Sequence, residues 1–209
     1  MEHHETAGGP TPEYARLERM WDRIAPFPKE QQPECLPIPP EILKAQQERQ
    51  AAGGEGKPTY KPVGAVKDPC CMGTEATGLV NVVEGFAQEE IVDGATFARI
   101  ARYAPSKSAA AALRDLGRRA EQRGRELAAA YYLITGEVRH ISSAGVLLPR
   151  LPYRELLREM YHNTACTALN YARAAEGTAD LCLSRLFDRF SAEAYRDAEE
   201  ILKLLAGLG

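Results

Sequence analysis

The stretch Glu-Val-Arg-His-Ile-Ser-Ser-Ala-Gly-Val-Leu-Leu-Pro-Arg-Leu, residues 137–151, decides the fold. It follows Gly136 and carries Ser142, Ser143, Gly145 and Pro149, residues that break regular hydrogen bonding. About fifteen residues of mostly non-helical chain can travel the length of a helical bundle. Everything on either side reads as long helix.

Upstream, alanine- and leucine-rich sequence predicts helix one over 74–103, closed by Ala104-Pro105. Helix two is predicted from behind Ser106 and Ser108 to Gly136. Downstream, helix three runs from near Pro152-Tyr153 to Gly177, and helix four from behind Thr178 to about Ala206-Gly207. The first and third connections are only a few residues long, so each joins antiparallel neighbours. Two hairpins joined by one long crossover is an all-α, ferritin-like four-helix bundle rather than a simple up-down one.

Residues 1–72 have a different texture. Eleven of the 14 prolines lie there, with Gly-Gly pairs at 8–9 and 53–54, so no continuous helix or sheet is encoded. The expected organisation is an extended Pro/Gly-rich extension over 1–72 and a bundle over 73–207. Within the extension, 12–24 reads as a short amphipathic helix, with Tyr14, Leu17, Trp21 and Ile24 on one face, and 40–51 as a marginal second piece. The only tryptophan lying there points to docking, on the bundle itself or on a protein partner.

The net charge of −3 is well mixed, so nothing argues for nucleic acid or anionic membrane, and neither is expected as a partner. No apolar run approaches roughly 20 residues, and the start lacks the apolar core of a signal peptide, so a cytoplasmic location is expected. The five cysteines are read as free thiols, with the adjacent Cys70-Cys71 pair open as a redox or metal-binding handle at the mouth of helix one. No Cys-x-x-Cys occurs, so neither a rubredoxin-type iron centre nor a zinc knuckle is encoded.

Each predicted helix carries an inward stripe at spacings of three and four. These are Val83, Phe86, Glu90, Phe97 and Ala101; then Leu113, Ala120, Gly124, Leu127, Tyr131 and Ile134, with Glu121 at the edge. The third is Leu157, Tyr161, Thr164, Tyr171 and Ala175; the fourth is Leu183, Phe187, Phe190, Ala194, Asp197, Ile201 and Leu204. Glu90 and Glu121 both sit roughly 20 Å from the first bend, at 1.5 Å per residue. Thr164, Ala194 and Asp197 fall within roughly two turns of one level from the second bend. The four sites can share one layer.

Three segments carry a family resemblance: Cys70-Cys71-Met72-Gly73-Thr74-Glu75-Ala76, Ala130-Tyr131-Tyr132-Leu133-Ile134-Thr135-Gly136 and Asn170-Tyr171-Ala172-Arg173-Ala174-Ala175-Glu176-Gly177. With them, residues 70–206 resemble bacterial ferritin-like proteins of the rubrerythrin type. That resemblance implies two irons held by a glutamate from each of helices one and three and Glu-x-x-His from each of helices two and four. Glu90 looks like the helix-one ligand. Glu121-Gln122-Arg123-Gly124 looks like Glu-x-x-His with glycine for histidine. Thr164 stands where the helix-three glutamate is expected, and Ala194-Tyr195-Arg196-Asp197 looks like a second Glu-x-x-His with both ligands changed. His162, two residues from Thr164, points about 200° away from it.

Glu90, Glu121 and Asp197 are therefore the candidate metal ligands, and Gly124, Thr164 and Ala194 the vestigial positions. Buried carboxylates left alone would cost several kcal/mol each. Three compensations are open: pairing with arginines such as Arg102, Arg123 or Arg196 or with tyrosine hydroxyls; one divalent cation such as Fe, Mn or Mg; or a retained proton. The expected function is a bundle that has lost most of its di-metal site and serves a non-catalytic structural or binding role. The alternative is an iron- or manganese-dependent oxidase or peroxide scavenger with an unconventional carboxylate site. Exposed apolar residues on long helices also allow a homodimer.

Overall fold

The computed structural model describes residues 71–143 and 145–208. The expectations for 12–24 and 40–51, and for the extension as a whole, lie outside these residues. Among the described residues the chain is all-helical, with no strand. It forms α1 (Val80–Ile100), α2 (Lys107–Thr135), α3 (Tyr153–Glu176) and α4 (Leu181–Ala206). Tight 3-10 turns flank α1 at Thr74–Leu79 and Ala101–Tyr103.

The helix ends have local causes. Ala104 is extended (φ −64°, ψ 136°), as the residue before Pro105 must be, and this ends the first helical stretch. The Ser106 hydroxyl accepts the Ala109 N–H at 3.1 Å and caps α2. Gly136 closes α2 at φ 75°, where a Cβ would be strained, and its N–H reaches the Tyr132 carbonyl at 2.7 Å. For α4 the cap is Asp180 rather than Thr178. Asp180 Oδ1 accepts the Leu183 N–H at 2.8 Å, and Thr178 only shapes the turn by accepting the Asp180 N–H.

Two hairpins result: α1 lies along α2, and α3 along α4. The core has two storeys. The lower joins the start of α1 (Val83, Phe86), the end of α2 (Leu127, Ile134), Tyr171 of α3 and the start of α4 (Leu183, Phe187). The upper joins Phe97 and Ile100, Leu113 and Leu116, Leu157 and Tyr161, and Ile201 and Leu202. All four helices contribute to both, so the hairpins bury their apolar faces against each other. The crossover spans both storeys, with Ile141 against the lower cluster and Leu148 against the upper. It follows α1, where Gln88 Nε2 donates to the Ser142 carbonyl at 3.2 Å and Arg139 pairs with Glu84 at 2.9 Å.

The stripes are buried as read, with one exception: Leu204 is only partly buried, while Leu202 and Leu205 fill the last turn of α4. Large exposed apolar side chains gather at helix ends and on the crossover (Val138 and Leu147 among them) rather than on mid-helix faces. No helix among the described residues is long and apolar enough to cross a membrane.

The cysteines are not all free, contrary to the sequence reading. Cys71 and Cys182 form a disulfide, and Cys166 is disulfide-bonded as well. A separation of 111 residues hid the pair; the two-hairpin topology brings the entry to α1 and the start of α4 to one end. Cysteine content therefore no longer argues for a reducing compartment.

The α1–α2 contact is close enough to demand glycine. A Cβ on Gly117 would lie 2.9 Å from the Gly94 carbonyl oxygen, backbone that cannot move aside alone. Gly117→Ala gains roughly 1 kcal/mol of helix propensity but forces the helices apart, at about 1–3 kcal/mol. Gly85, with nothing within 4 Å of its Cβ position, has no such penalty. Urea unfolding is expected to show Gly117→Ala destabilised and Gly85→Ala stabilised by up to about 1 kcal/mol.

Candidate functional site

Between the two storeys lies one polar layer, to which each helix contributes a side chain. Glu90 comes from α1, Arg123 from α2, Tyr171 from α3 and Asp197 from α4. The three charged residues are 2 %, 4 % and 3 % exposed in the order Glu90, Arg123, Asp197, so water does not screen them. Arg123 grips Glu90 with two parallel bonds, Nε to Oε1 at 2.8 Å and Nη2 to Oε2 at 3.0 Å. Its third nitrogen, Nη1, donates to Asp197 Oδ2 at 2.8 Å. The Tyr171 hydroxyl donates to Glu90 Oε1 at 2.8 Å.

Asp197 has a second partner. Arg119, one turn before Arg123, donates Nε to Asp197 Oδ1 at 2.8 Å and Nη2 to Glu200 Oε2 at 2.5 Å. The network thus runs from the axis to a groove of about 670 Å³ between α2 and α4, with Arg119 at its edge. Another arginine of that groove, Arg189, is engaged by Glu126 and Glu193.

The electrostatics follow from burial and pairing. Burial raises the Glu90 pKa above the ordinary carboxylate range, and the Arg123 charge, its hydrogen bonds and the Tyr171 hydroxyl pull it back. Burial weakens the proton affinity of Arg123, but Glu90 and then Asp197 outweigh it and raise its pKa, so the guanidinium stays charged. Burial and the adjacent Glu90 push Tyr171 well up, so it remains a neutral donor. Beneath the layer Tyr171 packs on Phe86 (4.4 Å between centroids), Phe190 (5.5 Å) and Phe187 (6.0 Å), which keeps that side dry.

The structure brings Glu90 and Asp197 together through Arg123, but not with Glu121. Glu121 is two residues from Arg123, about 200° round the helix, and its carboxylate pairs with Arg125 at 3.0 Å on the surface. Gly124 faces α1: a Cβ there would lie 2.8 Å from Ile91 Cγ1, so a larger side chain would collide with α1 before reaching Asp197. Ala194 and Thr164 are buried, and the Thr164 hydroxyl finds no partner among the described residues. His162 is only partly buried, with Nε2 at 3.5 Å from Cys166 Sγ, and His140 is exposed.

Of the three arginines that the sequence offers as partners, Arg123 is the one at the axis. Its signal was positional: it falls three residues after Ala120 and four before Leu127, on the same stripe. Arg119 and Glu200 gave no such signal, since each reads as an ordinary surface charge. The guanidinium fills the space a bridging cation would need between the carboxylates. Among the described residues no three His, Cys, Asp or Glu side chains converge as an ion would require. The donors present do not fit the di-metal centre implied by the family resemblance. No family model, curated protein or solved structure matches the chain.

Arg123→Ala would leave two buried carboxylates facing each other, at a cost of about 3–5 kcal/mol near neutral pH. Arg123 is what pulls the Glu90 pKa down against burial, so without it burial raises that pKa further, and the variant loses stability as pH climbs through the raised value. Urea unfolding of the variant should therefore show a smaller deficit at about pH 5 than at about pH 8.

Asp93, partly buried one turn beyond Glu89 and Glu90, is pushed up to about 7 by burial, then by Glu90 and Glu89, against Arg123. Its stabilising contribution is full below the ordinary 3.8 and lost as pH rises through about 7. The stability difference in favour of Asp93→Asn over the unaltered chain should widen across that window, as pH-dependent melting curves would record.

Proposed function

We propose that this chain is a ferritin-like bundle of the rubrerythrin type in which an internal ion pair has taken the place of the di-metal centre. It acts as a non-catalytic structural or binding protein. The observation that carries the reading is the Arg123 guanidinium bound on three nitrogens between Glu90 and Asp197. A fixed positive charge supplies the electrostatic compensation that metal would give a carboxylate pair, without ligand exchange or a change of oxidation state. The crossover that joins two hairpins is the second support, because it sets the helix directions that the family topology requires.

The bundle is then a scaffold. Its role lies in what it presents, either through residues 1–70 to a protein partner or through a second copy of the chain. Metal analysis of the full chain, purified after growth with supplementary iron, is expected to find far less than one iron per chain. Two irons per chain would overturn the reading in favour of a carboxylate-site oxidase or peroxide scavenger.

A further inference from the structure

One end of the helical unit is closed by a clasp that the ion-pair layer does not use. Cys71 and Cys182 are joined across a Cα–Cα distance of 4.8 Å, and both residues are partly exposed. Two residues on, the Gly73 N–H donates to Asp180 Oδ2 at 3.0 Å, while Oδ1 of the same carboxylate caps α4 through the Leu183 N–H. Asp180 is fully buried, so these bonds are made out of contact with water. Between the two attachments sits Met72 at φ 54°, a left-handed conformation that a residue with a Cβ keeps only when held from both sides.

We propose that the Cys71–Cys182 disulfide is a thiol-exchange site. Reduction by a dithiol would release the segment around Met72 and Gly73 from the start of α4 and leave the bundle folded. One thiolate of the dithiol attacks a sulfur of the pair, the S–S bond breaks, and the other cysteine leaves as a thiolate that takes a proton from water. The second thiol of the reductant then displaces the cysteine held in the mixed disulfide. The dithiol ends oxidised, and its two electrons rest on the Cys71 and Cys182 thiols.

The release is local because the anchors on either side are independent of the sulfurs. Ala76 and Leu79 are buried in the lower cluster and hold the 3-10 turn to the bundle. The Asp180 cap on Leu183 belongs to α4 alone. The Met72 side chain packs partly on the same cluster, and what depends on the disulfide is its left-handed backbone. Freed, it returns to negative φ, and that rotation carries the Gly73 N–H away from Asp180. The point at which residues 1–70 join the helical unit then moves. The switch therefore acts on the extension and not on the ion-pair layer.

Hydrogen exchange of the full chain by NMR, with and without dithiothreitol, tests this. Reduction is expected to speed exchange of the Gly73 amide by about 10-fold or more while the Leu127 and Ala198 amides keep their protection. At the Gly73 amide Cys182→Ser should exchange as fast as the reduced protein even without dithiothreitol, where its Cys166 disulfide is still intact. Cys166→Ser, which keeps the Cys71–Cys182 bond, should respond to dithiothreitol like the unaltered chain. The proposal falls if the pair stays oxidised in the folded protein under millimolar dithiothreitol, or if Gly73 exchange is unchanged in Cys182→Ser. It falls equally if protection is lost across all four helices, because the bond would then be a staple of the whole fold.

Discussion

A guanidinium withdrawn from water between two carboxylates is the constraint to which the four helices answer. Arg123, Glu90 and Asp197 lie on three different helices, and Tyr171 brings in the fourth. None of these side chains tolerates burial alone, since an ion in the interior needs its counter-charge and its hydrogen bonds together. Shifting α1, α2 or α4 along its axis by a turn, about 5 Å, would strand at least one charge, and shifting α3 would part the Tyr171 hydroxyl from its acceptor. The layer therefore sets helix register in a way that two apolar storeys, which accept many similar packings, cannot.

The close contact within the first hairpin is part of the same geometry. Gly94 and Gly117 let α1 and α2 approach nearly backbone to backbone. Arg119 extends the network outward to Glu200, giving Asp197 a second cation. Two carboxylates at the axis are thus matched by two guanidiniums, one buried and one half-exposed. Arg119 is shared with Glu200 at the groove, so the cluster as a whole sets three carboxylates against two guanidiniums.

Much of this was legible in the chain. Proline at 105 and 152, glycine at 136 and 177, and the Ser106 cap mark the helix ends because they act through local backbone chemistry. The long connection after Gly136 pointed to two hairpins because a crossover must be long enough to return along the bundle. Glu90 and Asp197 stood out as acids on apolar stripes. Glu121 lies off the axis because two positions along a helix turn a side chain to its far side, and a Glu-x-x-His spacing picks out 121 and 124 rather than 123. The Cys71–Cys182 bond was invisible for a different reason. No local rule relates residues 111 apart.

What the chain alone determined was where each helix begins and ends, which face is apolar, and that charged groups fall on that face. These follow from periodicity and capping, which act within a few residues. Tertiary structure alone decided which charges meet. A long arginine side chain can reach the axis or the solvent from neighbouring positions, and only the packed distances between helices select between them. The same packing made a second cysteine available to Cys71, because it placed two sequence-distant chain segments at one end of the bundle.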